Sequence, residues 1–109
     1  MEFKDYEEKA DLTAVYPDRG NNIYYPVLGL CGESGEVAEK VKKIMRDKEG
    51  IITDKEAIQI VRELGDVLWY LSAVAFELGF DLDEVARLNI EKLESRKRRD
   101  KLKGSGDER

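Results

Sequence analysis

Apolar residues recur along the chain every three or four positions, which is the spacing of amphipathic helices. The pattern predicts helices over residues 2–15, 25–46 and 54–78, and a fourth helix that opens at residues 81–84. Gly50 and Gly79 mark the ends of the second and third helices. We therefore expect an all-α fold in which residues 1–109 form a single domain, a four-helix bundle-like subunit with antiparallel helices.

The second half of the third predicted helix is apolar on nearly every side. Trp69, Ala73 and Phe76 lie outside the main apolar stripe of this helix. A helix that is apolar all round is buried on both sides. A chain of 109 residues is too short to cover both sides by itself, so we expect oligomerisation to complete the subunit.

Two pairs of carboxylates lie within the helical pattern. Glu33 and Glu36 form one pair, and Glu63 and Asp66 form the other; residues three apart share a helix face. The midpoints of the two pairs are equally far from Glu49-Gly50, so a chain reversal there would set both pairs at the same height. Four facing carboxylates repel one another unless a cation lies between them.

Solvated helix surface is the alternative interpretation of these acids, because the chain holds 24 Asp and Glu residues. Gly35 and Gly65 favour a site, since a mid-helix Gly costs roughly 1 kcal/mol relative to Ala. Such a glycine usually marks the close approach of a backbone or a ligand. Spacing alone leaves both interpretations open.

The chain has no His, which excludes His-based zinc sites and Ser-His or Cys-His nucleophile pairs. A metal here must bind oxygen ligands, so Mg²⁺ or Mn²⁺ is favoured over Ca²⁺. A single cysteine, Cys31, allows no intrachain disulfide. With no signal peptide or membrane-spanning run, we expect a cytoplasmic protein that binds no membrane.

The fourth predicted helix carries polar residues on its inward face. Asn89 and Arg96 continue the apolar line of that helix, and buried polar groups need partners, which a phosphate or a sugar would provide. The other basic residues at this end are explained by a solvated helix terminus. Residues 91–109 hold eight Lys or Arg against five Asp or Glu, but the chain as a whole carries −5. The acidic body argues against binding to a nucleic-acid polymer.

Three further features have ordinary structural explanations beside functional ones. Lys40 and Lys43 share the acid face and are expected to pair with Glu36. Trp69 and Tyr70 follow the second acid pair; burial in a core or interface is favoured over a base-stacking platform. The polar C-terminal tail, residues 100–109, is expected to be mobile without a ligand.

The ordered motifs resemble the MazG-like nucleoside triphosphate pyrophosphohydrolases. They are Tyr25-Pro26-x-Leu-Gly-Leu-x-Gly-Glu-x-Gly-Glu-Val, Lys42-Lys43-Ile-x-Arg46-Asp47, Glu63-Leu-Gly-Asp-Val-Leu-Trp-Tyr-Leu71, Asn89-x-x-Lys92-Leu-x-x-Arg96-x-x-Arg99 and the closing Gly-Ser-Gly-Asp107-x-Arg109. Together they span nearly the whole chain. Gly32 and Arg62 stand where many relatives carry a further acid, so one Mg²⁺ is expected and a second stays open.

The resemblance implies an all-α homo-dimer or homo-tetramer that cleaves a nucleoside triphosphate to the monophosphate and pyrophosphate with Mg²⁺. It implies metal binding by Glu33, Glu36, Glu63 and Asp66, and Glu33 or Glu36 would orient the attacking water. The residues implied to contact substrate are Asn89, Lys92, Arg96, Arg99, Tyr70 and Lys43. House-cleaning of the nucleotide pool is the expected role. The alternatives are a phosphoribosyl-ATP pyrophosphohydrolase and a non-catalytic helical assembly module.

Overall fold

The computed structural model describes residues 1–100 and 103–107, and within them the chain forms four α-helices and no strand. The helices are α1 Phe3–Asp11, α2 Tyr24–Lys48, α3 Asp54–Glu77 and α4 Leu82–Arg98. The expected all-α fold is confirmed; α2 and α3 follow the predicted ranges closely, and α4 opens where predicted. In the described part of the chain, no helix is long and apolar enough to cross a membrane.

The first helix is shorter than predicted, because it ends at Asp11 instead of residue 15. The hydroxyl of Thr13 donates to the Ala10 carbonyl at 2.7 Å. Threonine side chains that bond nearby carbonyls compete with the helical ladder. The apolar stripe continued past the point where the helix stops, so hydrophobic spacing alone could not locate this end.

Local signals define the other helix boundaries. Thr53 and Asp81 each open a helix with a capping box. The side chain of the capping residue accepts the backbone N–H of the third helical residue, whose own side chain accepts the backbone N–H of the capping residue. At the other end of α2, Glu49 and Gly50 adopt φ values of 55° and 79°. A left-handed pair ends a helix and reverses the chain, so the chain reversal expected at Gly50 is confirmed.

α2 and α3 form an antiparallel hairpin, which is the most extensive helix pairing in the molecule. Lys48 pairs with Glu56 beside the turn, and Lys40 pairs with Glu63 in the middle of the hairpin. Farther from the turn, the Tyr70 ring packs against α2. α4 contacts both α1 and α3.

The core of the single chain is small. Its buried apolar residues are Pro26, Tyr16, Ile44, Ala73, Ala75 and Leu82. Helical spacing predicts a core-facing stripe on α2 made of Leu30, Val37, Val41, Ile44 and Met45. Of these, Ile44 is buried, but Val41 and Met45 are 37% and 63% exposed. The burial predicted for these two residues is therefore wrong within the single chain, because no described segment covers that side of α2.

The segment between α1 and α2 is attached to the end of α3. The Glu77 carboxylate accepts the backbone N–H of Gly20 at 2.8 Å and that of Asn22 at 2.7 Å. The Arg19 guanidinium lies 4.0 Å from the centre of the Phe76 ring. These contacts hold Tyr16, which lies at the start of this segment, against the face of α3 that carries Trp69.

Candidate metal centre

The α2–α3 hairpin brings three carboxylates together. Glu33, Glu63 and Asp66 each offer an oxygen, and these oxygens all lie within 4.8 Å of one another. Glu33 and Glu63 are half-buried, whereas Asp66 is exposed. We call these three residues the acid cluster. It arises because antiparallel helices joined at Gly50 set positions 33 and 66 opposite each other.

Glu36 lies outside the acid cluster. It is exposed and one helical turn beyond Glu33 on α2. Its charge nevertheless contributes to the environment of Glu33, whose pKa it helps to raise. The fourth predicted ligand is thus a neighbour of the cluster, and its predicted role as a metal ligand stays a prediction.

The electrostatics of Glu33 reflect crowding of like charges. Burial raises the pKa of Glu33, and the charges of Asp66 and Glu63 raise it further. A hydrogen bond to Glu63 acts in the same direction. The carboxyl of Glu33 therefore holds its proton more tightly than an isolated glutamate does.

The donor set of the acid cluster fits a divalent cation. Lys40 Nζ lies 3.6 Å from Glu63 Oε1, and one ammonium cannot balance three carboxylates. Carboxylate oxygens are the ligands that Mg²⁺ and Mn²⁺ prefer. The Lys40 contact also corrects an expectation, because its partner is Glu63 across the hairpin and not Glu36 on the same helix.

The two glycines beside the acids have open surroundings. A Cβ added to Gly35 or Gly65 would meet no described atom within 4 Å, so neither allows a close approach inside the chain. The close approach occurs at Gly29, where an added Cβ would overlap the Tyr70 ring. Close packing within the chain therefore explains Gly29, and the approach of a ligand to Gly35 and Gly65 stays a prediction.

Aromatic side chains form one wall of a cavity beside the acid cluster. The cavity has a volume of about 320 Å³ and is lined by Thr13, Glu33, Asp66, Trp69 and Tyr70; we call it the aromatic pocket. The Trp69 and Tyr70 rings meet edge to face, with centroids 4.9 Å apart. Tyr70, a predicted substrate contact, thus lines the same cavity as Glu33 and Asp66.

The first helix and the residues directly after it also border this site, which sequence reasoning missed. Thr13 accepts a hydrogen bond from the Trp69 indole at 2.8 Å. Burial raises the pKa of Tyr6, and the charge of Asp66 raises it further, so the Tyr6 ring is close to the acid cluster. Tyr6 and Thr13 matched the helical apolar spacing, and that spacing carries no information about a distant acid.

The predicted phosphate-binding residues of α4 contact the C-terminal tail. Arg96 is only 4% exposed, and its Nη2 donates to the Asp107 carbonyl at 2.6 Å. Lys92 Nζ lies 3.1 Å from Asp107 Oδ1. Hydrogen bonds from Lys92 and Arg96 lower the pKa of Asp107. Arg96 Nε is buried and has no hydrogen-bond partner among residues 1–100 and 103–107.

The remaining predicted contacts lie elsewhere. Asn89 and Lys92 line an apolar groove of about 460 Å³ between α3 and α4. Lys43 Nζ lies 3.8 Å from a carboxylate oxygen of Glu39, not of Glu36 as expected. Arg99 Nε donates to Ser95 Oγ at 3.2 Å.

The structure therefore assembles two groups of predicted site residues without joining them. One group is the acid cluster with Tyr70, and the other is Asn89, Lys92 and Arg96 on α4. In the part of the chain that the structure describes, no hydrogen bond or ion pair links the α4 group to the acid cluster. Mobility of the tail stays a prediction; its residues 103–107 are exposed.

The chain is all-α, and carboxylates from two antiparallel helices line one cavity. These two features place it in the class of helical proteins with a candidate metal site. Residues 26–99 match the family described as the MazG nucleotide pyrophosphohydrolase domain, and the chain belongs to that family. It is similar to Gene 37 protein of Mycobacterium phage L5, with 45% identity over 109 residues, which cover 95% of this chain and 96% of the phage protein. No solved structure matches the chain. The resemblance found in the sequence is thereby confirmed.

Proposed function

We propose that this protein is a Mg²⁺-dependent nucleoside triphosphate pyrophosphohydrolase, which cleaves an NTP or dNTP to the monophosphate and pyrophosphate. The observation that carries the proposal is the convergence of Glu33, Glu63 and Asp66 to within 4.8 Å. It occurs in a chain whose family is described as nucleotide pyrophosphohydrolases. Mn²⁺ can replace Mg²⁺ in this proposal, because it accepts the same oxygen ligands.

In this proposal Glu33, Glu63 and Asp66 hold the cation, and Glu36 adds a ligand or acts beside it. When bound, Mg²⁺ neutralises phosphate charge, polarises the phosphoryl group and lowers the pKa of a bound water. Glu36 is exposed and outside the acid cluster, so its carboxylate is available to orient the attacking water and accept its proton. Glu33 is the alternative base, because burial and the charges of Asp66 and Glu63 raise its pKa in the metal-free protein and make its carboxylate a stronger proton acceptor.

The basic residues of α4 are proposed to bind phosphate. Lys92 and Arg96 already hold an anion, the Asp107 carboxylate, so their geometry accommodates negatively charged oxygens. A polyphosphate carries more charge than one carboxylate and would compete for the same cations. Asn89 is proposed to contact the sugar or phosphate, with Arg99 and Lys43 as further contacts.

We further propose that the protein acts as a homo-dimer or homo-tetramer. Its radius of gyration is 16.7 Å, against roughly 13 Å for a compact domain of this length. Large apolar side chains remain exposed on α3, on α4 and in the connection between them, among them Phe76, Leu78, Phe80 and Leu88. A second copy would cover this surface and could bring the α4 group of one subunit to the acid cluster of the other.

The decisive experiment is a nucleotide panel with product analysis in the presence and absence of Mg²⁺. We expect equal amounts of monophosphate and pyrophosphate, produced only with the metal. Glu63→Gln and Glu36→Gln should lower kcat by at least about 100-fold, whereas Glu39→Gln is the matched control. Glu39 is on α2 but pairs with lysines instead of joining the acid cluster. Release of single orthophosphate would contradict the proposed reaction.

Two alternatives are decided by the same measurements. A phosphoribosyl-ATP pyrophosphohydrolase would act on that one compound in the panel and leave ordinary triphosphates intact. The exposed apolar surface also suits a non-catalytic assembly module. Calorimetry separates that module from an enzyme, because a module would bind no Mg²⁺.

A further inference from the structure

The end of the chain returns to α4 after that helix has stopped. Asp100, Gly104 and Gly106 adopt φ values of 55°, 116° and 83°, and left-handed residues of this kind turn the backbone sharply. Asp107 therefore reaches Lys92, which lies 15 positions earlier in the chain and inside α4. We call residues 103–107 the C-terminal strap.

Two cations of α4 hold the end of the C-terminal strap. Arg96 Nη2 donates to the Asp107 carbonyl at 2.6 Å, to Asp107 Oδ1 at 3.3 Å and to the Gly106 carbonyl at 3.4 Å. Lys92 Nζ donates to the same Asp107 Oδ1 at 3.1 Å. One carboxylate oxygen thus receives both cations, which is the arrangement that a phosphate oxygen also accepts.

Burial differs between the two sides of this contact. The Arg96 side chain is 5% exposed, whereas the Asp107 side chain is 82% exposed. Arg96 Nε is buried and has no hydrogen-bond partner within residues 1–100 and 103–107. A buried donor of this kind favours a further acceptor, while an exposed carboxylate contributes only a weak ion pair. The guanidinium is therefore fixed in the fold, and the carboxylate is the replaceable member of the pair.

We propose that the C-terminal strap is an intramolecular competitor, in which Asp107 occupies the anion position at Lys92 and Arg96 until a polyphosphate displaces it. The inference rests on the phosphate-binding role in the proposed function and adds its regulation. Two occupants of one position exclude each other, so the apparent affinity for phosphate is reduced in proportion to the fraction of molecules with an open strap. A polyphosphate binds only the open state and shifts the population towards it.

Inorganic pyrophosphate is the probe for this competition, because it is a polyphosphate without sugar or base. Calorimetry on the full-length protein without divalent metal isolates the α4 position, since the uncompensated acid cluster repels phosphate. We expect Asp107→Asn to bind pyrophosphate at least about threefold more tightly than the wild-type protein. Asp100→Asn is the matched control, because it removes an exposed carboxylate from the same end of the chain. Unchanged or weaker binding by Asp107→Asn, or an equal gain in the control, would overturn the competition.

Gly106→Ala opens the strap without removing a charge. A Cβ added to Gly106 would meet no described atom within 4 Å, but its φ of 83° is strained for alanine. We expect pyrophosphate binding to tighten by at least about threefold again. Gly79→Ala is the matched control, because Gly79 has a φ of 81° and equally open surroundings at the end of α3. Equal affinities in the two variants would contradict the proposal.

NMR relaxation of the Gly106 amide reports the state of the strap directly. We expect an ordered amide in the protein without ligand, and fast motion once pyrophosphate is saturating. The same motion should be present in Asp107→Asn before any ligand is added. A strap that is already mobile in the wild-type protein without ligand, or one that becomes more ordered with pyrophosphate, would overturn the proposal; the second result would make it a lid.

Hydrolysis assays separate the failure of this inference from that of the proposed function. Both strap variants should lower KM for a nucleoside triphosphate by about the factor found for pyrophosphate and leave kcat unchanged. Mg²⁺-dependent hydrolysis with wild-type KM and pyrophosphate affinity in both variants would remove the competition and leave the reaction standing. Tighter pyrophosphate binding without any hydrolysis would support the competition and remove the reaction.

Discussion

Folding places the Glu33 carboxyl in an electrostatically unfavourable environment. Its carboxyl is half-buried beside two other acids, and its pKa is raised. A raised carboxyl pKa means that the folded state binds the proton more tightly than the unfolded chain does. The contribution of Glu33 to stability is therefore fully present below its unfolded pKa and is lost as the pH rises through its folded pKa. A cation in the acid cluster would remove this cost.

Glu33→Gln should consequently stabilise the metal-free protein. An amide keeps the shape of the side chain and removes the charge, so we expect Tm at pH 7 to rise by roughly 2–4 °C. The gain should vanish at pH 3–4, where Glu33 of the wild-type protein is itself protonated. Thermal scans across this pH range without metal measure it. A wild-type Tm that rises from pH 4 to pH 7 more than that of the variant would contradict the electrostatic account.

Gly29 is a second residue whose identity has a packing cause. An added Cβ would overlap the Tyr70 ring, so we expect Gly29→Ala to destabilise the protein by about 1–3 kcal/mol. Gly35→Ala is the control within the same helix, where the added methyl meets open space. That change should stabilise by up to about 1 kcal/mol through helix propensity. Urea unfolding of both variants decides, and equal effects would remove the role of the Tyr70 contact.

At the scale of elements, the α1–α2 connection depends on α3. Glu77 accepts two backbone N–H groups from this connection, and Arg19 packs on Phe76. The same segment carries Tyr16, whose ring stacks on Tyr25 with centroids 4.9 Å apart. The end of α3 thus holds the segment that borders the aromatic pocket.

Glu77→Ala should release that segment. Loss of both acceptor bonds should cost about 1–3 kcal/mol and alter the fluorescence of Trp69, because Tyr16 packs edge-on to the indole. Glu91→Ala is the matched control, since within the described residues Glu91 makes an exposed ion pair with Arg87 on α4. The control should change stability by less than about 0.5 kcal/mol. Unfolding curves followed by both fluorescence and circular dichroism test the effect, and unchanged emission would contradict the coupling.

At the scale of the whole molecule, the exposed apolar surface is the dominant feature. The groove between α3 and α4 is lined mostly by aliphatic and aromatic side chains. Soluble monomers rarely expose large contiguous apolar patches. A second copy of the chain is the occupant we propose for this surface.

Leu88→Glu should therefore shift the protein towards a monomer. Leu88 lines the groove and is 49% exposed, so a buried charge would appear in the interface upon association. We expect the dissociation constant to rise by at least about 100-fold, measured by sedimentation equilibrium. Leu12→Glu is the control, because Leu12 is 83% exposed and lies outside the groove. A wild-type protein that is already monomeric at all concentrations would refute the assembly.

Local chemistry explains why much of the fold was predictable. Capping boxes at Thr53 and Asp81 and the glycine at position 50 act on neighbouring residues, so they can be read directly from the chain. The facing of Glu33 and Asp66 followed as well, because helix rise is constant and the turn is symmetric between them. The proposed substrate class came from the family resemblance, since spacing does not distinguish one phosphate compound from another.

Tertiary structure decided everything that depends on how the helices rotate and pack. The spacing of three placed Glu36 with Glu33 on one face, but helix packing set Glu36 outside the acid cluster. It likewise paired Lys40 with Glu63 across the hairpin and laid Tyr70 on Gly29. The Thr13–Trp69 bond joins residues 56 positions apart, and no local pattern encodes such a contact. The sequence by itself determined which acids lie at the same level along the α2–α3 hairpin. Helix packing determined which of those acids come together in the acid cluster.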